Sequence, residues 1–234
     1  MLSILRSTSS SVGAEVMGVS RVDPASVPDP LDEEYRRYCV QVGHLFVNWG
    51  RLENVLSSIL KLHLALSLGD EVDAKAMALA GAIYGSMRFK AARDTIKRLL
   101  PIEGAPPKVV SFLETAFAHV GHIEDFRDKI AHQMIAPAHG DLGGYWQISD
   151  IMTTRDLKKP RIWVFNTSAI ANASHDLNML TQRVGGNPAK PPLFHDLDTS
   201  PLSWHYKPSM LRLVPQSKLR TPPAQQPPPQ SSPP

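Results

Sequence analysis

From Tyr38 to His63 the apolar positions Tyr38, Val42, Leu45, Trp49, Leu52, Leu56, Ile59 and His63 recur in alternating steps of four and three. Only one face of a helix has that spacing, and it must run for about nine turns. Gly43 and Gly50 each weaken such a helix by about 1 kcal/mol relative to Ala, so burial of the stripe has to hold it. A helix that depends on packing belongs to a bundle.

Thirteen of the 21 prolines lie from Pro188 onward. They split the 234 residues into residues 1–30, a disordered N-terminal segment; residues 31–185, one domain with enough periodic sequence to bury a core; and residues 186–234, a Pro-rich and largely disordered tail. The first 22 residues faintly resemble a targeting peptide, though an unstructured start explains them better. The tail suits either a passive solvated end or a ligand for a groove-type domain. The lone Cys39 excludes an internal disulfide and fits a reducing compartment, so the cytoplasm is the expected location. No apolar run reaches the ~20 residues that span a bilayer, so no membrane is expected. A net charge of +3 permits an anionic partner without demanding one.

Within the domain, Asp70 offers a cap for a short second helix carrying Met77, Leu79, Ala80 and Ile83, and Ser86 recaps the chain. A third helix, Met87 to Leu100, buries Phe89, Ala92, Ile96 and Leu99 and stops at Pro101. Its other face carries Lys90, Arg93 and Lys97, a run that serves as a solvated face or as a surface for phosphates. Pro107 opens the fourth helix, whose stripe is Val109, Leu113, Phe117, Val120, Ile123, Ile130 and Met134, with Pro137 ending it. The period then changes to two. Trp146 and Ile148, then Ile162 to Phe165, form a β-hairpin across a turn holding Arg155, Lys158, Lys159 and Arg161, a second basic cluster. Asn166 to Ser168 cap a last helix with the stripe Ile170, Ala173, Leu177, Leu180 and Val184. The fold class is therefore mainly α: an antiparallel bundle of about five helices with one small β-hairpin and disordered tails.

The fourth helix closes on Phe126-Arg127-Asp128-Lys129-Ile130-Ala131-His132, where an arginine, an aspartate and a histidine, with Lys129 between them, crowd an apolar element. Asp128 and His132 are i, i+4 neighbours, so the carboxylate is placed to accept a hydrogen bond from the imidazole. Arg127 lies about 140° round the helix from His132, and a second copy across a two-fold axis would close that gap. Such a cleft suits metal-independent cleavage of RNA. A neutral imidazole takes a proton from a 2′-hydroxyl, and a guanidinium fork holds the phosphate. No metal or cofactor is needed. Zinc on His119 and His122 with Glu124 or Asp125 lacks further ligands to support it. A blander arrangement is also open, in which Arg127 pairs with Glu53 or Glu124 as a structural salt bridge. Trp146, Trp163 and Phe165 either stack on bases or pack on the bundle.

Arg127 to His132 fits the R-x4-H motif of HEPN (higher eukaryotes and prokaryotes nucleotide-binding) domains, with a polar residue directly after the arginine. The long first helix with Trp49-Gly50-Arg51-Leu52-Glu53, the Phe89 to Leu100 helix, and a hairpin plus helix after the motif also resemble bacterial members. The resemblance spans about residues 32–184. It implies a helical bundle that dimerises and, in many members, a metal-independent ribonuclease of toxin–antitoxin or phage-defence systems. Arg127 and His132 would be the catalytic pair and Asp128 the supporting polar residue. Lys90, Arg93, Lys97, Arg155, Lys158 and Lys159 would be candidate RNA contacts, and an antitoxin protein a further partner. The family also has inactive members, which implies an alternative: a non-catalytic module binding nucleotide, nucleic acid or a protein.

Overall fold

The structure, a computed structural model, describes residues 33–67, 74–85, 87–138, 145–150, 161–185, 194 and 197–215. Among these are α1 (Glu33–Ser67), α2 (Ala74–Tyr84), α3 (Phe89–Ile102), α4 (Pro107–His132) and α5 (Thr167–Gly185). They also include β1 (Met134–Pro137), β2 (Trp146–Ser149), β3 (Ile162–Phe165) and β4 (Arg212–Val214). The four strands form one antiparallel sheet in the order β1-β2-β3-β4. The protein is thus mainly helical with a small sheet, and Arg37 onward forms one unit.

The stripe of α1 is buried at Tyr38, Leu45, Trp49, Leu52, Leu56, Ile59 and His63. Each fully buried leucine of that face contributes about 1.5–3 kcal/mol, enough to outweigh the glycines. It meets Phe89, Ala92 and Ile96 of α3, Leu113, Phe117, Val120 and Ile123 of α4, and Ile170, Ala173, Leu177 and Leu180 of α5 in one core. Pro107 sits in the first turn of α4, and the Asn166 side chain accepts the Ala169 N–H at 3.1 Å to cap α5. Helix α3 keeps Pro101 inside its last turn and runs on to Ile102. The caps expected at Asp70 and Ser86 lie outside the described residues.

Two elements depart from the sequence reading. Helix α4 ends at His132, and Gln133 turns extended at φ −118°, so Met134 belongs to β1 and not to the helix. Pro137 biases Ala136 toward the extended region, and β1 is an edge strand, where a proline's missing N–H costs no ladder bond. The hairpin therefore grows into a four-stranded sheet. The fourth strand comes from within the expected disordered tail: β4 pairs with β3, and Leu197, Tyr206 and Val214 are buried.

What pins this strap is Asp176 of α5, whose carboxylate is fully buried. It accepts the backbone N–H groups of His205 and Tyr206 at 2.8–3.0 Å, and contacts His119 Nε2 at 2.9 Å and His205 Nδ1 at 3.2 Å. His119 stacks on Trp204 at 4.1 Å, and Tyr206 stacks on Phe126 at 5.4 Å. Burial pushes the Tyr206 phenol up to about 12, with the nearby Asp125 adding to it.

Helix α2 buries only Ala80 and leaves Met77, Leu79 and Ile83 exposed. Ser57 of α1 holds its end by donating to the Tyr84 carbonyl. No helix among the described residues is long and apolar enough to cross a membrane.

Candidate functional site

The last two turns of α4 carry Glu124, Arg127, Asp128 and His132 out of the core that Ile123, Phe126 and Ile130 bury. Arg127 folds back toward α1, where its guanidinium lies 4.4 Å from the centroid of the Trp49 ring. Only 22% of its side chain remains exposed. One terminal nitrogen of the fork is 2.7 Å from Asp128 Oδ1. Among the described residues, neither its buried Nε nor the buried indole Nε1 of the Trp49 beneath it has a hydrogen-bond partner. Two buried donors without acceptors, one on each member of a stacked pair, form an unusual arrangement. Each costs about 1–3 kcal/mol of desolvation.

Asp128 thus engages Arg127, and the expected hydrogen bond from His132 to Asp128 is not formed. An i, i+1 pair wins over the i, i+4 pair because the guanidinium brings full charge and a planar fork to the carboxylate. His132 stands exposed on the last helical residue. Within one chain the structure does not bring Arg127 and His132 together.

Glu53 does not pair with Arg127 either. Its Oε1 accepts the Phe89 N–H at 2.9 Å, satisfying a donor of the first turn of α3 where Arg88 offers no side-chain cap. Glu53→Ala is therefore expected to cost about 1 kcal/mol in urea unfolding, with Glu53→Gln retaining most of the stability.

Glu124 is a closer neighbour of the site. Burial, and then the Asp128 carboxylate one turn on, push its acid up, while Arg127 and Arg93 partly offset them. A raised acid binds its proton on folding, so Glu124 contributes stability below its unfolded value of about 4.3, and that contribution is lost as pH rises through the higher folded value. Glu124→Gln is expected to flatten this part of the stability profile, measurable by thermal melts from about pH 4 upward.

Of the basic residues, Lys90 and Lys97 are exposed on α3. Arg93 is half-buried, its Nε 3.1 Å from Asp94, and it also acts on Glu124. That places α3 on the Arg127 side of the molecule. Arg155, Lys158 and Lys159 lie outside the described residues. Among the aromatics, Trp146 stacks on Tyr38 at 4.0 Å and Phe165 packs edge-on against Phe126 at 5.3 Å, so both are core. Trp163 alone stays half-exposed. His119 is taken by Asp176, and His122 is exposed. Two open grooves of about 490 and 400 Å³ sit elsewhere, the larger between Phe112 of α4 and Trp204 of the strap; Arg127 and His132 line neither.

Trp49 and Asp176 escaped the sequence reading as polar groups. Trp49 fits the core stripe, and only its orphaned N–H sets it apart. Asp176 did carry a signal, a carboxylate one residue from the buried Leu177. No protein-family model matches the chain, and neither does any curated protein or solved structure.

Proposed function

We propose that this chain is a HEPN-like, metal-independent endoribonuclease that works as a homodimer, with Arg127 and His132 as its catalytic pair. The observation that carries the reading is the half-buried Arg127 guanidinium, stacked on Trp49 with 22% of its side chain still open to solvent. The open part of the fork can meet a phosphate oxygen, and it is worth most in a partly water-excluded site.

In this mechanism the neutral His132 imidazole removes the 2′-hydroxyl proton. The oxygen attacks the adjacent phosphorus, and the 5′-oxygen leaves, taking a proton from the imidazolium or from water, to give a 2′,3′-cyclic phosphate and a 5′-hydroxyl. Arg127 stabilises the charge that builds on the phosphate. Asp128 acts on this geometry by orienting Arg127 rather than His132. Because Arg127 and His132 face about 140° apart on one helix, a second copy supplies the complementary residue. A cytoplasmic toxin or phage-defence setting, with an antitoxin protein as partner, accompanies this reading.

The same geometry gives a rival its footing. His132 is exposed and Asp128 is committed elsewhere, which suits a non-catalytic module that binds nucleotide, nucleic acid or a protein. Incubating the purified chain with total RNA in EDTA separates the two. Cleavage leaving 2′,3′-cyclic phosphate ends is expected; no cleavage from folded, dimeric protein would replace the ribonuclease with the binding module.

A further inference from the structure

The sheet carries an aromatic site that the Arg127 cluster does not use. Ile135, Ile148, Trp163 and Leu213 are paired across the four strands, so their side chains share one face. Toward α5 that face is core, as Trp146 and Phe165 show. At Trp163 the ring is half-exposed, and Leu213 beside it is 56% exposed. Two cations attend the ring. Lys129 Nζ lies 5.5 Å from its centroid and the Arg161 guanidinium carbon 5.2 Å.

Arg161 is held in that position. Its Nε is 2.7 Å from the Oδ2 of the buried Asp150, and the Asp150 Oδ1 accepts the Arg161 backbone N–H at 2.7 Å. The rest of the side chain remains 67% exposed. Lys129 comes from α4, one turn before His132, so the platform and the candidate general base share one end of one helix. Trp163 is two strands from Ile135, roughly 10 Å away at the usual strand spacing, and Ile135 follows His132 by three residues. That separation is on the scale of one or two nucleotides of extended RNA.

We infer that Trp163, flanked by Lys129 and Arg161, is a stacking platform for an unpaired base of single-stranded RNA, beside the phosphate that His132 addresses. The inference rests on the ribonuclease reading for its substrate class. Both cations lie over the ring, so a base reaches an indole face as one of these side chains moves off it to meet a phosphate. Bases inside a duplex are already stacked on one another and present no free face, so the platform selects single strands.

The test is binding without cleavage. A fluorescent ten-nucleotide oligouridylate is titrated against His132→Ala, His132→Ala/Trp163→Phe and His132→Ala/Trp163→Leu, with the same strand annealed to its complement as comparison. The expected result is tight single-strand binding by the first two, about tenfold weaker binding by the Trp163→Leu protein, and weak duplex binding throughout. Lys129→Gln, which leaves the ring and its packing in place, should reduce the salt slope by about 0.7. Equal affinity of the folded Trp163→Leu protein, or equal affinity for the duplex, overturns the platform. Should the Trp163→Leu protein melt early, an unchanged salt slope in Lys129→Gln overturns it instead. Trp163-dependent binding by a chain whose wild type cleaves nothing would leave the platform standing and remove the ribonuclease. Cleavage by wild type with Trp163-independent binding would do the reverse.

Discussion

His132→Ala is expected to lower RNA cleavage by about 10²- to 10⁴-fold, the contribution of a positioned general base, while changing the unfolding free energy by less than about 0.5 kcal/mol. The small stability effect follows from the position: the imidazole is exposed on the last residue of α4, and the Gln133 N–H that closes the helix bonds to the Lys129 carbonyl without it. Arg127→Ala should abolish cleavage to a similar extent but also cost stability, because the guanidinium covers Trp49 and neutralises the neighbourhood of Glu124 and Asp128. Arg127→Lys separates charge from shape. It keeps the positive charge and loses the planar fork and the stack, so little activity should return. The readouts are initial rates on a labelled RNA in EDTA and thermal melts of the same preparations. Full activity in His132→Ala would end the proposed mechanism whatever the fate of Arg127.

Asp176→Ala is expected to destabilise the protein by about 3–5 kcal/mol, the largest stability effect of any single substitution proposed here. Two backbone N–H groups and two imidazoles converge on this one fully buried carboxylate. Removing it leaves the two N–H groups and the largely covered His119 without their acceptor, while the exposed His205 ring can turn to water. The loss should fall on the strap first, exposing Tyr206 and freeing β4 from β3, so hydrogen exchange at residues 205–214 should rise before exchange in α1. Asp176→Asn, which keeps an acceptor oxygen and loses the charge, should fall between the two.

The pH dependence has a definite sign. Burial alone would raise the Asp176 acid, but the hydrogen bonds from His119 and from the His205 and Tyr206 backbone hold it below the ordinary carboxylate value. The folded state therefore prefers the ionised form, and the resulting stability is fully present above the unfolded value of about 3.9. It is lost as pH falls through the lower folded value. Acid unfolding of the wild type should be steeper in that window than that of Asp176→Asn, and identical slopes would show that the strap is held by something else.

The sequence by itself determined the helices. The four-and-three stripe of α1 and those of α4 and α5 are local repeats set by 3.6 residues per turn, so a linear reading finds them, and apart from the half-buried Val42 and from Met134, which lies in β1, the residues it marks are buried. It also placed Arg127, Asp128 and His132 at the close of α4, since that needs only the helix and its end. Tertiary structure decided what long-range partners determine. Whether Met134 continued a helix or opened a strand depended on β2 lying beside it, and whether Arg212 to Val214 was tail or strand depended on β3. Glu53 and Asp128 had several partners within reach, and the fold chose the Phe89 N–H for one and Arg127 for the other. Asp176 acquired its importance only when a strap some 30 residues further along brought two backbone N–H groups to it. Periodicity is written in neighbours along the chain; hydrogen-bond choice is made between groups that folding alone brings together.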